Sequence, residues 1–176
     1  MRCMILALLG ALTACSANSS EPPATASSIG LIHADFARYR TFTFGPANPP
    51  AAGYKVTHRS LEVLRHLAPI VQASLEKRGY APSGEGEGDL VVKISAGSDA
   101  YAGERTYSED PPPTAGGFIG IDAYDRVTGA TIWHGIATAE VQPERIDDRL
   151  LARGVERMLG EFPVQGTATA RTASAR

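Results

Sequence analysis

The residues of this chain that could do chemistry are few and scattered. In 176 residues there are two cysteines, Cys3 and Cys15, and four histidines, His33, His58, His66 and His134. A thiolate can act as nucleophile or metal ligand, and an imidazole can act as acid, base or ligand near neutral pH. Helical zinc pairs place their histidines three to five residues apart. His58 and His66 are eight apart, and there is no cysteine cluster, so no metal is expected. Gly84-Glu85-Gly86-Glu87-Gly88 has the glycines of a phosphate loop but lacks its Lys-Ser/Thr ending, and its carboxylates would repel phosphate. No Gly-x-Ser-x-Gly elbow occurs. A glycosidase needs two carboxylates flanking a groove. Asp147-Asp148 instead falls where a helix start favours acids, and Glu109-Asp110 falls in a loop. No catalytic residue and no cofactor are therefore expected. The segment best stocked for binding is 97–117, which carries Tyr101, Arg105 and Tyr107. Tyr and Arg are favoured at interfaces, and loops on a rigid scaffold carry most binding sites. The competing reading is a long variable hairpin connection.

Cys15 has the most specific surroundings. It follows a start bearing one charge, Arg2, and an apolar run from Ile5 to Ala14. A bilayer-spanning helix needs about 20 apolar residues, and this run is half that. A charged start, a short apolar core and small residues before a cut describe a secretory signal. Leu12-Thr13-Ala14-Cys15 resembles the bacterial lipobox. The resemblance implies removal of residues 1–14 as a lipoprotein signal peptide, a diacylglycerol on the Cys15 thiol and a third acyl chain on its amine. Two acyl chains already anchor stably, so three would hold permanently. Ala24-Thr25-Ala26 could serve an ordinary signal peptidase but lies too far past the apolar core. Ser16 stands where an inner-membrane retention signal would place Asp. The expected location is thus the cell envelope, with the protein lipid-anchored to the outer membrane and facing the periplasm. The expected partners are membrane lipid, through acylated Cys15, and another envelope protein.

Composition narrows the rest. Lys and Arg number 17 against 19 Asp and Glu, a formal charge of −2 that becomes −3 without Arg2, which gives no case for nucleic acid. The length suits one domain with one core. With residues 1–14 gone, Cys15 is the remaining cysteine, so no intrachain disulfide can form although the periplasm permits one.

Residues 15–28 are rich in Ser, Ala and Pro and read as a disordered tether, and 164–176 as a disordered tail. The domain spans 29–163. Leu31 and Ile32 open it, and Thr41-Phe42-Thr43-Phe44 has the period-two pattern of a half-buried strand. Leu61, Leu64, Ala68, Val71 and Leu75 make one apolar helix face. Pro69 interrupts it, leaving either one kinked helix or two short ones. Gly79 supplies the stop. Strands follow at 89–96, 118–124 and 131–141, with a hairpin turn at Asp125-Arg126-Val127-Thr128-Gly129. A last helix runs from about Ile146 to Phe162, ended by Pro163. Trp133 is expected to bury its ring between sheet and helix while its N–H finds a partner.

Several joints carry a further resemblance: Asp35-Phe36-Ala37-Arg38-Tyr39-Arg40-Thr41-Phe42, Leu75-Glu76-Lys77-Arg78-Gly79-Tyr80, Gly88-Asp89-Leu90-Val91-Val92, Asp122-Ala123-Tyr124-Asp125, Ile132-Trp133-His134-Gly135 and Phe162-Pro163. In this order and spacing they are similar to the DUF4136 family of bacterial lipoproteins, whose function is unknown. The resemblance covers 31–163 and brings no catalytic residues. The expected fold is α+β: a two-layer sandwich of a mainly antiparallel four- to five-stranded sheet with two helices on one face, in the order β-α-β-β-β-α. The expected role is a non-enzymatic binding or structural module. The alternatives are a hydrolase of envelope glycans or lipids, and a small-ligand carrier.

Overall fold

The computed structural model describes residues 25–30, 35–99, 115–141 and 145–165. Its architecture is the expected two-layer α+β sandwich. The strands are β1 (Thr25–Gly30), β2 (Thr41–Phe44), β3 (Tyr54–Lys55), β4 (Ala81–Pro82), β5 (Leu90–Asp99), β6 (Ala115–Asp125) and β7 (Thr131–Val141). The helices are α1 (His58–Glu76) and α2 (Asp148–Leu159), and a single 3-10 turn covers Phe36–Arg38. The seven strands form one sheet in the order β1-β7-β6-β5-β2-β4, with β3 also paired to β5.

The sheet is mixed rather than wholly antiparallel. The pairs β1–β7, β7–β6, β6–β5 and β5–β3 are antiparallel, but β2 is parallel to both β5 and β4. The parallel part follows from connectivity, because α1 is the crossover that returns the chain alongside β2. The strand count exceeds the expected four to five because β3 and β4 are two-residue segments and β1 starts early. Thr25–Ser28 therefore pair with β7, although the sequence places them in the tether.

One face of the sheet makes the core. Leu90, Val92, Ile94 and Ala96 of β5, Ile119, Ile121 and Ala123 of β6, and Trp133 and Ala137 of β7 form one buried cluster. Leu67, Val71 and Leu75 of α1 and Val155, Met158 and Leu159 of α2 complete it. The α1 stripe is rotated from the expected one: Leu67 is fully buried and Leu61 is 48% exposed. Thr57 caps this helix. Its hydroxyl accepts from the Ser60 N–H at 3.2 Å while the Ser60 hydroxyl accepts from the Thr57 N–H at 3.0 Å, a reciprocal capping box. α1 is one continuous helix with Pro69 inside. It ends in a Schellman arrangement, with Tyr80 N–H donating to Leu75 O (3.2 Å) and Gly79 N–H to Glu76 O (2.9 Å). Gly79 sits at φ +92°, which only glycine adopts without strain.

Trp133 is fully buried and meets Phe162 edge-on at 5.1 Å. Contrary to expectation, its Nε1 has no hydrogen-bond partner among the described residues.

Candidate functional site

Strand alternation sends Lys93, Asp122, Tyr124 and His134 to the sheet face opposite the helices. Asp122 of β6 lies directly across from His134 of β7, and Lys93 of β5 lies across from Asp122. Asp122 Oδ1 is hydrogen-bonded to His134 Nδ1. Asp122 Oδ2 accepts from the Asn48 amide at 2.7 Å, and that amide also donates to the Tyr124 hydroxyl at 2.8 Å. The Lys93 ammonium stands 4.8 Å from the centre of the Tyr124 ring, a cation–π contact. The Asp122 side chain is 12% exposed and that of His134 is 35% exposed. A mostly covered carboxylate thus fixes one ring nitrogen of a partly open imidazole, the arrangement that sets the orientation of a working histidine.

Asn48 reaches this cluster because the chain after β2 continues along the edge of β5. Gly45 N–H donates to Val92 O at 2.9 Å and Asn48 N–H to Ile94 O at 3.2 Å, before β3 pairs with Ser98 and Asp99. Tyr54 then lies on Phe118 with ring centres 5.0 Å apart. The same face leads up to the β5–β6 hairpin, which is paired without interruption from Leu90–Asp125 to Ser98–Gly117. At its top Asp99 Oδ2 accepts from Gly116 N–H at 3.1 Å, tying the two strands where the connection 100–114 leaves them.

Three other acids, Asp125, Asp89 and Asp147, serve the fold. Asp125 is buried. Its Oδ2 accepts from the Tyr39 hydroxyl (2.7 Å) and the Arg38 guanidinium (3.1 Å), and its Oδ1 from the Val127 and Thr128 N–H groups (2.9 and 2.8 Å). The Tyr39 hydrogen bond, with the backbone donors, holds its carboxyl down to about 2. Burial and the bond to Asp125 push Tyr39 up to about 12. Asp89 Oδ2 accepts from Arg40 N–H, Thr41 N–H and the Thr41 hydroxyl at 2.9–3.0 Å, and the Arg40 backbone bond leads in lowering its pKa. Asp147 caps α2 by accepting from Arg149 and Leu150 N–H groups, so this acid is a helix start as the sequence implied.

His58 is a surface residue, with its ring 3.7 Å from Glu62 one turn on. His66 bridges the helices through Asp148 at 2.8 Å. That pair borders a shallow depression of about 400 Å³ lined by Arg65, Pro69, Ile70 and Ala152. No three His, Cys, Asp or Glu among the described residues are placed to share a metal ion, and no described helix is long and apolar enough to cross a membrane. Cys15, Tyr101, Arg105, Tyr107 and His33 lie outside the described residues. Sequence reasoning placed His134 among polar strand positions but did not find Asp122 or Asn48 as its companions.

Three solved structures resemble the chain, the first two at a level that speaks to the fold. A DUF4136 family protein from Bacteroides thetaiotaomicron is 13% identical with a TM-score of 0.52, covering 78% of this chain and 95% of that one. A PDZ domain protein from Parabacteroides distasonis is also 13% identical with a TM-score of 0.52, covering 84% of this chain but 38% of that longer one. The PelC dodecamer from Paraburkholderia phytofirmans is 11% identical with a TM-score of 0.49, covering 78% and 95%. No curated protein matches the chain in sequence. The domain of unknown function DUF4136 matches residues 32–164, three quarters of the chain and all of the sheet beyond β1, and the chain belongs to that family.

Proposed function

We propose that the protein is a lipid-anchored module of the cell envelope that binds another envelope component, using the helix-free face of its sheet and the segment between β5 and β6. The observation that carries this reading is the Asp122 carboxylate, held by Asn48 and fixing His134 on the sheet face away from the helices. Groups ordered in this way offer a partner hydrogen bonds at little entropic cost. The second contact region is the segment with Tyr101, Arg105 and Tyr107, which follows β5 and precedes β6 in sequence; these two strands are joined by a nine-pair ladder. The lipobox-like Leu12-Thr13-Ala14-Cys15 supplies the anchor at the outer membrane, with the domain facing the periplasm.

The same dyad would serve a hydrolase if a nucleophile stood beside it. Among the described residues no serine or cysteine is hydrogen-bonded to His134, so binding is the better-supported role.

Crosslinking in intact cells tests the reading. The wild type is compared with His134→Gln and with a variant whose residues 101–113 are replaced by a short Gly-Ser linker. Loss of a specific crosslinked species in either variant, at unchanged folding and membrane fractionation, is the expected result. Recovery of the same species at the same yield from all three would refute it.

A further inference from the structure

We propose that the patch around Asp122 binds an oxyanion, a carboxylate or phosphate group of the partner, on Lys93, Tyr124 and His134. This rests on the binding role proposed above for the same face and names the chemistry that the face recognises. Matching donors to acceptors leads there. Both protons of the Asn48 amide are spent, one on Asp122 Oδ2 at 2.7 Å and one on the Tyr124 hydroxyl at 2.8 Å. Because the nitrogen aims at both, the amide oxygen of Asn48, on the far side of its carbon, looks away from them. The Tyr124 oxygen thus accepts, and its own proton has no acceptor among the described residues. The Lys93 ammonium lies over the Tyr124 ring, 4.8 Å from its centre, and pairs with no carboxylate among the described residues. An ammonium carries three N–H groups and no acceptor.

His134 engages Asp122 through Nδ1. Its Nε2 has no partner among the described residues, and it donates whenever the ring carries both protons. On the acceptor side Asp122 is committed: Oδ1 to His134 and Oδ2 to Asn48, with 12% of the side chain exposed. The patch therefore has donors to spare and its acceptors engaged. A ligand that completes it must bring acceptors, and an oxyanion brings them with a charge that Lys93 favours.

The surrounding charges agree. Asp122 opposes an anion, but its charge is already met at both oxygens. Asp99 and Glu140 point to the same face, six residues beyond Lys93 on β5 and six beyond His134 on β7. Six strand residues span about 20 Å, more than twice the screening length of about 8 Å at physiological salt. Asp89, four residues before Lys93, is taken up by Arg40 and Thr41. Arg126, two residues after Tyr124, is exposed and adds a cation at this end of the face. Lys93 and Tyr124 are half-buried, which limits the side-chain freedom lost on binding.

The test uses the isotope-labelled full chain in micelles of a non-ionic detergent. It is titrated with inorganic phosphate and, separately, with acetate, each against sodium chloride at equal ionic strength. Amide and imidazole shifts are read by NMR. The expected result is saturating shifts centred on Lys93, Tyr124 and His134, with a midpoint of about 1–10 mM, as suits a few charge-assisted bonds open to solvent. Saturation by phosphate alone names a phosphate group, by acetate alone a carboxylate, and by both the oxyanion they share. Lys93→Gln should weaken binding about fivefold and Lys93→Arg should restore it. Tyr124→Phe should weaken it about threefold, and Lys55→Gln, on exposed β3, should leave it unchanged. Saturation by neither anion, or a midpoint that Lys93→Gln does not move, would overturn the oxyanion site. That failure leaves partner binding standing, because crosslinking of His134→Gln reads it separately. Unchanged crosslinking with anion binding intact would instead remove the partner and leave the oxyanion site in place.

Discussion

Asp125→Asn is the perturbation whose consequence the structure defines most fully. The Asp125 carboxylate accepts four hydrogen bonds that join two pieces of chain: Arg38 and Tyr39 before β2, and the Val127 and Thr128 amides of the β6–β7 turn. Asparagine has one acceptor oxygen. If that oxygen keeps the two turn amides, the NH2 group confronts the Tyr39 hydroxyl and the Arg38 guanidinium, both donors in the native arrangement. Hydrogen bonds to a charged group are worth about 1.5–3 kcal/mol each in protected settings. The Arg38 side chain is 57% exposed, so its share is discounted for solvent screening. The Tyr39 bond is buried and keeps its value. The expected cost near neutral pH is about 2–3 kcal/mol.

Linkage gives an independent magnitude and a sign. The folded carboxyl lies at about 2, below its ordinary 3.8, so its stabilisation is complete above the unfolded value and disappears as pH falls through the folded one. The shift corresponds to at most about 2.5 kcal/mol, of which about 1 is lost by pH 3 and about 2 by pH 2. Asp125→Asn has no such proton to bind. Urea unfolding of both proteins should therefore show a stability gap that narrows by about 1 kcal/mol between pH 7 and pH 3. A gap constant across that range would show that the charge of Asp125 contributes nothing, and the reasoning would fail. Tyr39 gives the mirror image. Its folded pKa is raised from 10.0 to about 12, so its contribution is intact below pH 10 and fades as pH climbs toward 12. Tyr39→Phe should remove that alkaline loss.

Three further outcomes follow from specific contacts. A Cβ at Gly135 would lie 2.3 Å from Trp133 Cη2, so Gly135→Ala should cost about 2 kcal/mol and shift the tryptophan emission; unchanged emission and stability would contradict this packing. Asp89→Asn should cost about 1–2 kcal/mol and speed hydrogen exchange at the Arg40 and Thr41 amides, which share Asp89 Oδ2; unaltered exchange there would refute the assignment. His66→Ala breaks an exposed pair with Asp148 and should change stability by less than about 0.5 kcal/mol; a loss several times larger in urea melts would mean that the helices depend on that bridge.

Much of the fold was legible because its signals are local. The Thr-Phe alternation of β2, the Asp125–Gly129 turn, the Asp147 cap and the Gly79 stop each act within a few residues. What escaped depends on distant chain. β1 opens on Thr25-Ala26-Ser27-Ser28, with no alternation, and forms where the edge of β7 offers a full ladder of partners. Pro69 could not be judged from sequence because its cost depends on where it sits. It is exposed beside the α1–α2 depression, as is Arg65, whose carbonyl loses its helical donor, so neither is shut in the core. The β6–β7 register was the decisive hidden quantity. Tyr124 pairs with Thr131 but Ala123 pairs with Trp133, so Ile132 is an extra residue in β7. Were the Tyr124–Thr131 register continued without the bulge, Ala123 would face Ile132 and Asp122 would face Trp133, turning the indole out of the core and His134 away from Asp122. The hairpin itself could be read; the bulge that pairs His134 with Asp122 could not, and neither could Asn48 arriving from a loop.

That bulge also separates what the family resemblance explains from what it leaves over. Each matching piece on β6 and β7 writes two faces, because successive strand residues point to opposite sides. Ala123 and Trp133 belong to the core cluster, and Asp125 joins the turn to the segment before β2. These account for the pieces as folding signals, like Gly79 at the helix end and Asp89, whose carboxylate ties the start of β2 to that of β5. Asp122, Tyr124 and His134 sit in the same pieces but face away from the helices. There the core gains nothing from them, and placing a carboxylate at 8% residue exposure costs desolvation that only its bonds to His134 and Asn48 offset. A fold seeking stability alone would do as well with apolar or small residues at those positions. The polar choice on the helix-free face, not the core residues beside it in sequence, is therefore where the structure carries a demand beyond folding.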